Sequence, residues 1–239
     1  MKKNAALARK VALSCRILAK LGLFKETTGH VSARNGKDQM LIRGRGPRET
    51  GLLFTKPGDV LLADFEGQSQ ERKAGLKPPN EACIHGELYK ARPEVACVVH
   101  AHPPAVVLCS MAGIELRPIY GGYDPSSMRL SLKGIPVYPN TLTLNTKDQV
   151  HAMQKVMGAS DVCILRGHGL IVTGNSVEQA TITAIKVDTL ARMNLQAASL
   201  GKVPAIPDED IEQFQRRTTG GNSSPEGLWR YYCEWLIKG

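Results

Sequence analysis

The sequence of 239 residues contains no apolar run of about 18 residues or more, which is the length that spans a bilayer. Its first residues, Met1-Lys2-Lys3-Asn4, lead into an amphipathic segment and not into the apolar core of a secretory signal. No internal repeat, low-complexity tract or linker is visible. These absences predict one globular domain over residues 1–239, located in the cytoplasm and without membrane attachment.

The cysteines lack the CxxC spacing that is typical of zinc ribbons and redox motifs. They are scattered along the chain, and most lie inside apolar segments: Cys15, Cys83, Cys97, Cys109, Cys163 and Cys233. We therefore expect reduced residues of the core.

The chain carries 31 basic and 22 acidic residues, for a net charge of +9. Such an excess suits nucleic acid, a membrane surface or an anionic small molecule. The sequence shows no nucleic-acid-binding motif and no aromatic platform, so we expect a small anionic partner. Arg43, Arg45 and Arg48 stand among glycines, either in a flexible surface loop or as a guanidinium fork for carboxylates.

Apolar periodicity predicts an alternation of helices and strands. Helical spacing is present at 4–22, 81–92, 104–111, 146–157 and 176–200, with two short helices after Pro207 and Pro225. Strand patterns occupy 95–100, 115–120, 134–138, 161–165 and 170–173, and hairpin strands occupy 29–63. Asn80 is a candidate N-cap, with Glu81 in the first helical turn. The interleaving predicts an α/β layered domain with a C-terminal helical extension at about 205–239.

Three histidines form a candidate metal site. Side chains alternate along a strand, so His100 and His102 point the same way if the segment from Val95 is extended. His168 follows a second buried strand and would complete a three-histidine site with open positions for substrate. The alternative is that the His-X-His pair is an accident of a strand end. Glycines on both sides of His168 favour the site, because they let the backbone approach a ligand closely.

These motifs, together with Gly29-His30-Val31-Ser32-Ala33-Arg34 and the Glu81 helix, resemble the class II aldolase/adducin family over about residues 5–200. The resemblance implies a single-domain α/β fold with a central, mostly antiparallel sheet sandwiched by helices. It also implies a homotetramer with sites at subunit interfaces and one divalent ion (Mn, Zn, Co or Fe) per subunit. His100, His102 and His168 would be the ligands of that ion.

By the same resemblance Glu81 is the catalytic acid/base. A glutamic acid that delivers a proton near neutral pH needs a raised pKa or a relayed proton. The alternative is that Glu81 only favours the positive end of the helix dipole. His85, one turn later, either lines the same cavity or packs inside the helix layer, and packing is the favoured interpretation.

The sugar-phosphate members of the family have Gly-Asn, Ser-Gly and Ser-Ser pairs that cradle a phosphate. The corresponding stretches here are Gly29-His30, Arg43-Gly44-Arg45 and Pro79-Asn80. A second resemblance is to the branch that acts on hydroxylated aromatic acids. It is carried by Arg43-Gly44-Arg45-Gly46 with Glu49-Thr50-Gly51-Leu52, and by Tyr123-Asp124-Pro125 with Met128-Arg129-Leu130. That branch includes decarboxylation of dihydroxyphthalate and of hydroxy-methylpyridine dicarboxylate.

The expected function is therefore metal-dependent decarboxylation of a hydroxylated aromatic dicarboxylate in aromatic catabolism. Arg43 and Arg45 would grip the carboxylate that stays, and His30 and Tyr123 would contact substrate. Tyr120 and Tyr123 are equally explained as partly buried aromatics. The alternatives are a sugar-phosphate aldolase, an iron-dependent oxygenase on the same fold, and an adducin-like interaction module without a metal.

Overall fold

Seven strands form one sheet in the computed structural model, which describes residues 2–69, 71, 73, 75–201, 203–216 and 224–238. The strands are β1 His30–Arg34, β2 Gln39–Arg43, β3 Val60–Asp64, β4 Cys97–Ala101, β5 Val137–Tyr138, β6 Val162–Leu165 and β7 Gly169–Gly174. Their order across the sheet is β3-β2-β1-β4-β7-β6-β5. Every neighbouring pair is antiparallel except β5 with β6. The expected mostly antiparallel central sheet is confirmed.

Helices cover both faces of this sheet. They are α1 Lys2–Lys20, α2 Ala82–Ala91, α3 Pro104–Ala112, α4 Pro125–Ser131, α5 Lys147–Met157, α6 Val177–Ser199, α7 Asp208–Arg216 and α8 Pro225–Lys238. Short 3₁₀ turns lie at Leu52–Phe54 and Pro57–Asp59. One apolar core joins α1, α3, α6 and α8 to the sheet, and a second joins α2 and α5 to the opposite face. The predicted sandwich is therefore confirmed.

Strand alternation decides which side chains meet α2. In β1, His30 and Ser32 face α2, because side chains alternate along a strand and Val31 and Ala33 pack into the core on the side of α1 and α6. In β4, Val98 packs on the α2 face and His100 points the same way. His30 pairs with His100 across the two strands. The sheet thus brings two imidazoles side by side beneath the start of α2.

Two local predictions at 80–131 are corrected by the structure. Helix α2 starts at Ala82 with Glu81 in the N-cap position, and the cap makes no side-chain hydrogen bond. Asn80 is therefore not the N-cap. The expected strand at 115–120 is absent, since the carbonyl of Arg117 accepts from the Asn194 side chain and not from a neighbouring strand.

Helix α4 was not predicted, although its start carries a recognisable signal. Asp124 caps the helix by accepting from the backbone N–H of Ser127, and Pro125 occupies the first turn. Tyr123-Asp124-Pro125 therefore carries a local helix signal in addition to its resemblance to a family motif. An Asp-Pro pair before a short apolar-periodic stretch is an N-terminal helix signal in its own right.

The C-terminal part contains the two expected helices. Helix α8 packs against α1 and α6 through Trp229 and Leu236, whereas α7 buries none of its side chains. Residues 217–223 and 239 of the predicted extension lie outside the described residues. Within the described ranges, no helix combines the length and apolar character needed to cross a membrane.

Candidate active site

The three histidines predicted as metal ligands lie together at one end of β4 and β7. His100 is in β4, His102 follows just after that strand, and His168 is in the turn that joins β6 to β7. One ring nitrogen from each lies within 4.8 Å of the others. The Nε2 atoms of His100 and His102 are 3.0 Å apart. Strand alternation and the β6–β7 turn thus produce a cluster from distant parts of the sequence.

The glycines around His168 allow a tight turn and a close approach of β7 to β4, while the predicted approach to a ligand stays a prediction. Gly167 has φ of +66°, in the left-handed region that favours glycine. A Cβ atom on Gly169 would lie 2.2 Å from the carbonyl oxygen of Ala101. Only glycine therefore lets β7 approach β4 closely enough to place His168 beside His102.

The hydrogen bond of His100 leaves a lone pair directed into the cluster. Its Nδ1 lies 3.0 Å from the carbonyl oxygen of Leu170, and a carbonyl can only accept, so Nδ1 carries the hydrogen. In the neutral ring, Nε2 is then the nitrogen that carries the lone pair. A carbonyl partner on the second ring nitrogen is the usual support of a metal-bound histidine.

Burial keeps the other two imidazoles neutral. Burial, together with the nearby rings of His100 and His168, lowers the pKa of His102 to about 2. Burial also lowers the pKa of His168. Neutral imidazole is the form that coordinates a metal ion.

Glu81 extends its carboxylate toward the histidines. Its oxygens lie 3.6 Å from His100 Nε2, 3.7 Å from His30 Nε2 and 3.8 Å from His168 Nε2. Burial raises the pKa of Glu81, but the contacts with His100 and His30 outweigh burial and hold the pKa below its usual range. This direction is opposite to the raised pKa of a direct proton donor, so the alternative of a relayed proton remains. The missing cap bond also shows that the carboxylate does not cap α2.

The donor set fits a divalent first-row metal ion. Three neutral imidazoles and one carboxylate are ligands of zinc, manganese, cobalt and iron sites. Glu81 Oε1 is buried without a hydrogen-bond partner among the described residues, as expected of a group that faces a cation. Two overlapping groups of side chains could hold the metal ion. One is His100 with His102 and His168, and the other is His100 with His30 and Glu81.

His30 heads a buried chain of hydrogen bonds that the sequence did not reveal. Its Nδ1 lies 2.6 Å from His85 Nε2, His85 Nδ1 lies 2.6 Å from Ser32 Oγ, and Ser32 Oγ lies 2.7 Å from Tyr89 Oη. Burial lowers the pKa of His30 to about 4. His85 is fully buried and does not line the cavity, so the packed interpretation of this residue is confirmed. The available signal was the spacing of Glu81, His85 and Tyr89 by four residues along one helix face.

The histidines open into a cavity of about 1090 Å³. It is lined by residues from the β1 entry, the arginine loop, the start of α2 and the β6–β7 turn, among them His30, Arg45, Lys77, Glu81, His102 and His168. Arg45 is anchored at the rim, where Nε donates to Glu49 Oε1 at 3.2 Å and Nη2 donates to Thr27 Oγ1 at 3.0 Å. The cavity therefore combines candidate metal ligands with a fixed guanidinium.

Arg43 and Tyr123 do not line this cavity. The guanidinium of Arg43 is buried and forms an ion pair with the Glu49 carboxylate, so this guanidinium is already paired within the chain. Tyr123 is 72% exposed and lies near Tyr232, on another part of the surface. Of Arg43, Arg45 and Tyr123, only Arg45 lines the cavity of its own chain, and the expected substrate contacts of all three stay predictions.

The sequence profile of the Class II Aldolase and Adducin N-terminal domain matches residues 9–195. The chain belongs to this family. It is 40% identical over 232 residues to 3,4-dihydroxyphthalate decarboxylase of Arthrobacter keyseri, covering 95% of this chain and 93% of that protein. It is 42% identical over 231 residues to 3,4-dihydroxyphthalate decarboxylase of a Terrabacter species, covering 95% of each. The fold also matches an aldolase II superfamily protein from Pseudomonas syringae with a TM-score of 0.84 at 20% identity, over 99% of this chain and 94% of that one.

Lys77 also lines the cavity of this class II aldolase family member and adds a cation to that of Arg45. The sequence does not single out this lysine. Its backbone forms an isolated β-bridge with that of Arg45. The distance from Arg45 N to Lys77 O is 2.7 Å, and the distance from Lys77 N to Arg45 O is 2.8 Å. The bridge holds the two cationic residues side by side at the rim. No motif marks Lys77, because the bridge joins segments 32 positions apart.

Proposed function

We propose that this chain is a divalent-metal-dependent decarboxylase of a hydroxylated aromatic dicarboxylate, on a benzene or pyridine ring. The observation that carries the proposal is the single cavity shared by His102, His168 and Arg45. One aromatic substrate can reach both the candidate metal ligands and a guanidinium that matches carboxylate geometry. The two relatives named 3,4-dihydroxyphthalate decarboxylase support the same substrate class.

His100, His102 and His168 would hold the ion through neutral nitrogens, which leaves its full positive charge. A bound divalent ion supplies Lewis-acid stabilisation of the charge that develops on a ring hydroxyl and its neighbouring carboxylate. Arg45, with Lys77 beside it, would hold the carboxylate that stays on the ring. The ion would be Mn, Zn, Co or Fe, since each accepts imidazole ligands.

Decarboxylation breaks the bond between a ring carbon and a carboxylate, and the electron pair stays on that carbon until a proton binds there. We assign the proton transfer to Glu81, which reaches the cavity wall next to the histidines. Its carboxylate would accept a proton from a ring hydroxyl and pass it to the carbon that lost carbon dioxide. This relay agrees with a carboxyl group whose pKa is held below the usual range.

The sugar-phosphate aldolase alternative is opposed by the residues around the cavity. The polar pairs that cradle a phosphate in those enzymes are replaced here by His30, by Arg45 and by Pro79-Asn80, all of which line the cavity. The imidazole of His30 and the ring of Pro79 provide fewer donors than the small polar residues they replace, whereas the Arg45 guanidinium can pair with either a carboxylate or a phosphate. We therefore place aldol cleavage second.

The decisive experiment combines metal analysis of purified protein with a substrate screen. The protein would be loaded separately with each of the four metals and assayed for carbon dioxide release from hydroxylated phthalates and pyridine dicarboxylates. We expect release from at least one of these acids, with loss of activity after chelation. Efficient cleavage of fuculose or ribulose phosphates, with no carbon dioxide from any aromatic acid, would contradict the proposal.

We also propose a homotetramer with sites near subunit interfaces. The support is Tyr123, a residue of the Tyr123-Asp124-Pro125 stretch that does not line the cavity of its own chain and is largely exposed. In an assembly it can approach the cavity of a neighbouring chain. Light scattering during size-exclusion chromatography would measure the mass, and a monomeric active enzyme would contradict the proposal.

A further inference from the structure

The hydrogen-bond chain from His30 to Tyr89 lies wholly inside the protein. His30 is 2% exposed, Tyr89 is 1% exposed, and Ser32 and His85 are 0% exposed. The donor–acceptor distances are 2.6 Å for His30–His85, 2.6 Å for His85–Ser32 and 2.7 Å for Ser32–Tyr89, all within hydrogen-bonding range. Ser32, His85 and Tyr89 do not line the cavity and are at most 1% exposed, so their polar atoms depend on partners within the protein.

A neutral imidazole carries one hydrogen and one lone pair, and the Ser32 hydroxyl has only His85 and Tyr89 as partners among the described residues. Two arrangements then keep the Ser32 hydrogen within the chain. In the first, the hydrogens run from Tyr89 through Ser32 and His85 to His30 Nδ1, and His30 Nε2 carries a hydrogen. In the second, they run the opposite way, and His30 Nε2 is a bare lone pair. The choice between the two sets the chemistry that His30 presents to the cavity.

The surroundings of His30 favour the first arrangement. Nε2 of His30 lies 3.7 Å from Glu81 Oε2, and a carboxylate can only accept. An N–H group of His30 is attracted by this carboxylate. His100 Nε2 lies 3.6 Å from the same oxygen, but its tautomer is fixed by the hydrogen bond from Nδ1 to the Leu170 carbonyl, and no such carbonyl bond constrains His30 among the described residues. At the far end, the second arrangement would require another acceptor for the phenol hydrogen of Tyr89, while the first directs that hydrogen to Ser32.

We propose that Tyr89, Ser32 and His85 fix His30 as the Nε2–H tautomer, so that His30 is a hydrogen-bond donor in the cavity and not a metal ligand. This selects the set His100, His102 and His168 over the set that contains His30 and Glu81. Nε2 of His30 has no hydrogen-bond partner within the described part of the chain, so its hydrogen is available to a substrate oxygen. The inference rests on the proposed function only in identifying that substrate as an aromatic acid.

Nitrogen-15 NMR of histidine-labelled protein tests the tautomer directly, in the metal-free protein and after loading with diamagnetic Zn²⁺. Long-range proton–nitrogen spectra would be assigned with His30→Gln and His85→Gln. We expect a pyridine-type Nδ1 and a pyrrole-type Nε2 for His30 in both states. A protonated Nδ1, or a His30 Nε2 signal that shifts to a metal-bound position with Zn²⁺, would overturn the proposal.

Positioning by Ser32 is tested with Ser32→Ala, which removes the donor to His85 Nδ1. We expect the His30 signals to move toward a mixture of tautomers. Ser131→Ala is the matched control, because that buried hydroxyl donates only locally to the carbonyl of Met128 at 2.8 Å. An unchanged His30 spectrum in Ser32→Ala would remove Ser32 and Tyr89 from the positioning chain.

Zn²⁺ binding provides a readout that does not require Ser32→Ala to fold. After dialysis, His30→Gln should keep a full equivalent of Zn²⁺, and His102→Ala should keep none. Loss of Zn²⁺ from His30→Gln would make His30 a ligand and refute the inference. Neither measurement uses an aromatic acid, so a failed decarboxylase assay would leave both results interpretable.

Discussion

Replacement of Arg45 by lysine separates a carboxylate-binding role from a purely electrostatic one. The guanidinium uses Nε for Glu49 and Nη2 for Thr27, which fixes its plane at the cavity rim. A lysine ammonium keeps the charge but is a single point on a flexible stem. It cannot bond Glu49 and Thr27 and also present a fork to a substrate carboxylate.

The size of the expected effect follows from the bonds that are lost. Hydrogen bonds that involve a charged group contribute about 1.5 to 3 kcal/mol, which corresponds to roughly a 10- to 150-fold fall in kcat/KM. We expect Arg45→Lys to fall in this range for a dihydroxyphthalate or a hydroxylated pyridine dicarboxylate. Folding should be little affected, because the Arg45 side chain is 36% exposed.

Release of carbon dioxide would be followed with wild type, Arg45→Lys and the control Arg48→Lys. Arg48 belongs to the same basic cluster, but it is exposed and does not line the cavity. The loss should disappear with a hydroxylated monocarboxylate that lacks the retained carboxylate. A fall of less than about threefold for the dicarboxylate, or an equal fall for both acids, would refute the role of Arg45.

Three further predictions concern the histidine cluster. His102→Ala should abolish metal occupancy and turnover together, and full occupancy by metal analysis would remove His102 from the ligand set. Glu81→Gln keeps the shape of the side chain and should lower kcat by about 100-fold or more with metal still bound, whereas unchanged turnover would leave Glu81 a structural role. Gly169→Ala would place a Cβ 2.2 Å from the Ala101 carbonyl oxygen, so it should lower both the thermal unfolding midpoint and metal occupancy. Gly167→Ala, whose Cβ would meet only side-chain atoms at 3.6 Å and beyond, should cost just the left-handed backbone strain of about 1–2 kcal/mol, and equal effects of the two variants would contradict this account.

The sequence by itself determined the features that depend on short-range periodicity. A period of two residues places His100 and His102 on one side of β4, and helical spacing located α1, α5 and α6 within a few residues. The Gly-His-Gly turn could also be interpreted locally, because the left-handed φ of Gly167 is a property of one residue. These signals lie in neighbouring residues, so they can be interpreted without knowledge of the fold.

Tertiary structure alone decided which polar groups meet across elements. Arg43 and Arg45 look equivalent in the sequence, but Arg43 ends β2 and turns inward to Glu49, while Arg45 is held at the cavity by its bridge with Lys77. Tyr123 likewise matches a substrate-associated motif yet lies on a different surface. Periodicity gives the face of a residue and not the group opposite to it.

The buried hydrogen-bond chain from His30 to Tyr89 shows most directly that periodicity does not identify the group opposite to a residue. His85 and Tyr89 share a face of α2 by their spacing, which the sequence contains. Their hydrogen bonds require β1 to lie under that face, with Ser32 and His30 turned toward it. A buried polar group must find its partner wherever packing places one, and the partners here come from segments more than 50 residues apart. Sequence proximity therefore determined the candidate ligands, and packing determined the protonation that the cavity presents.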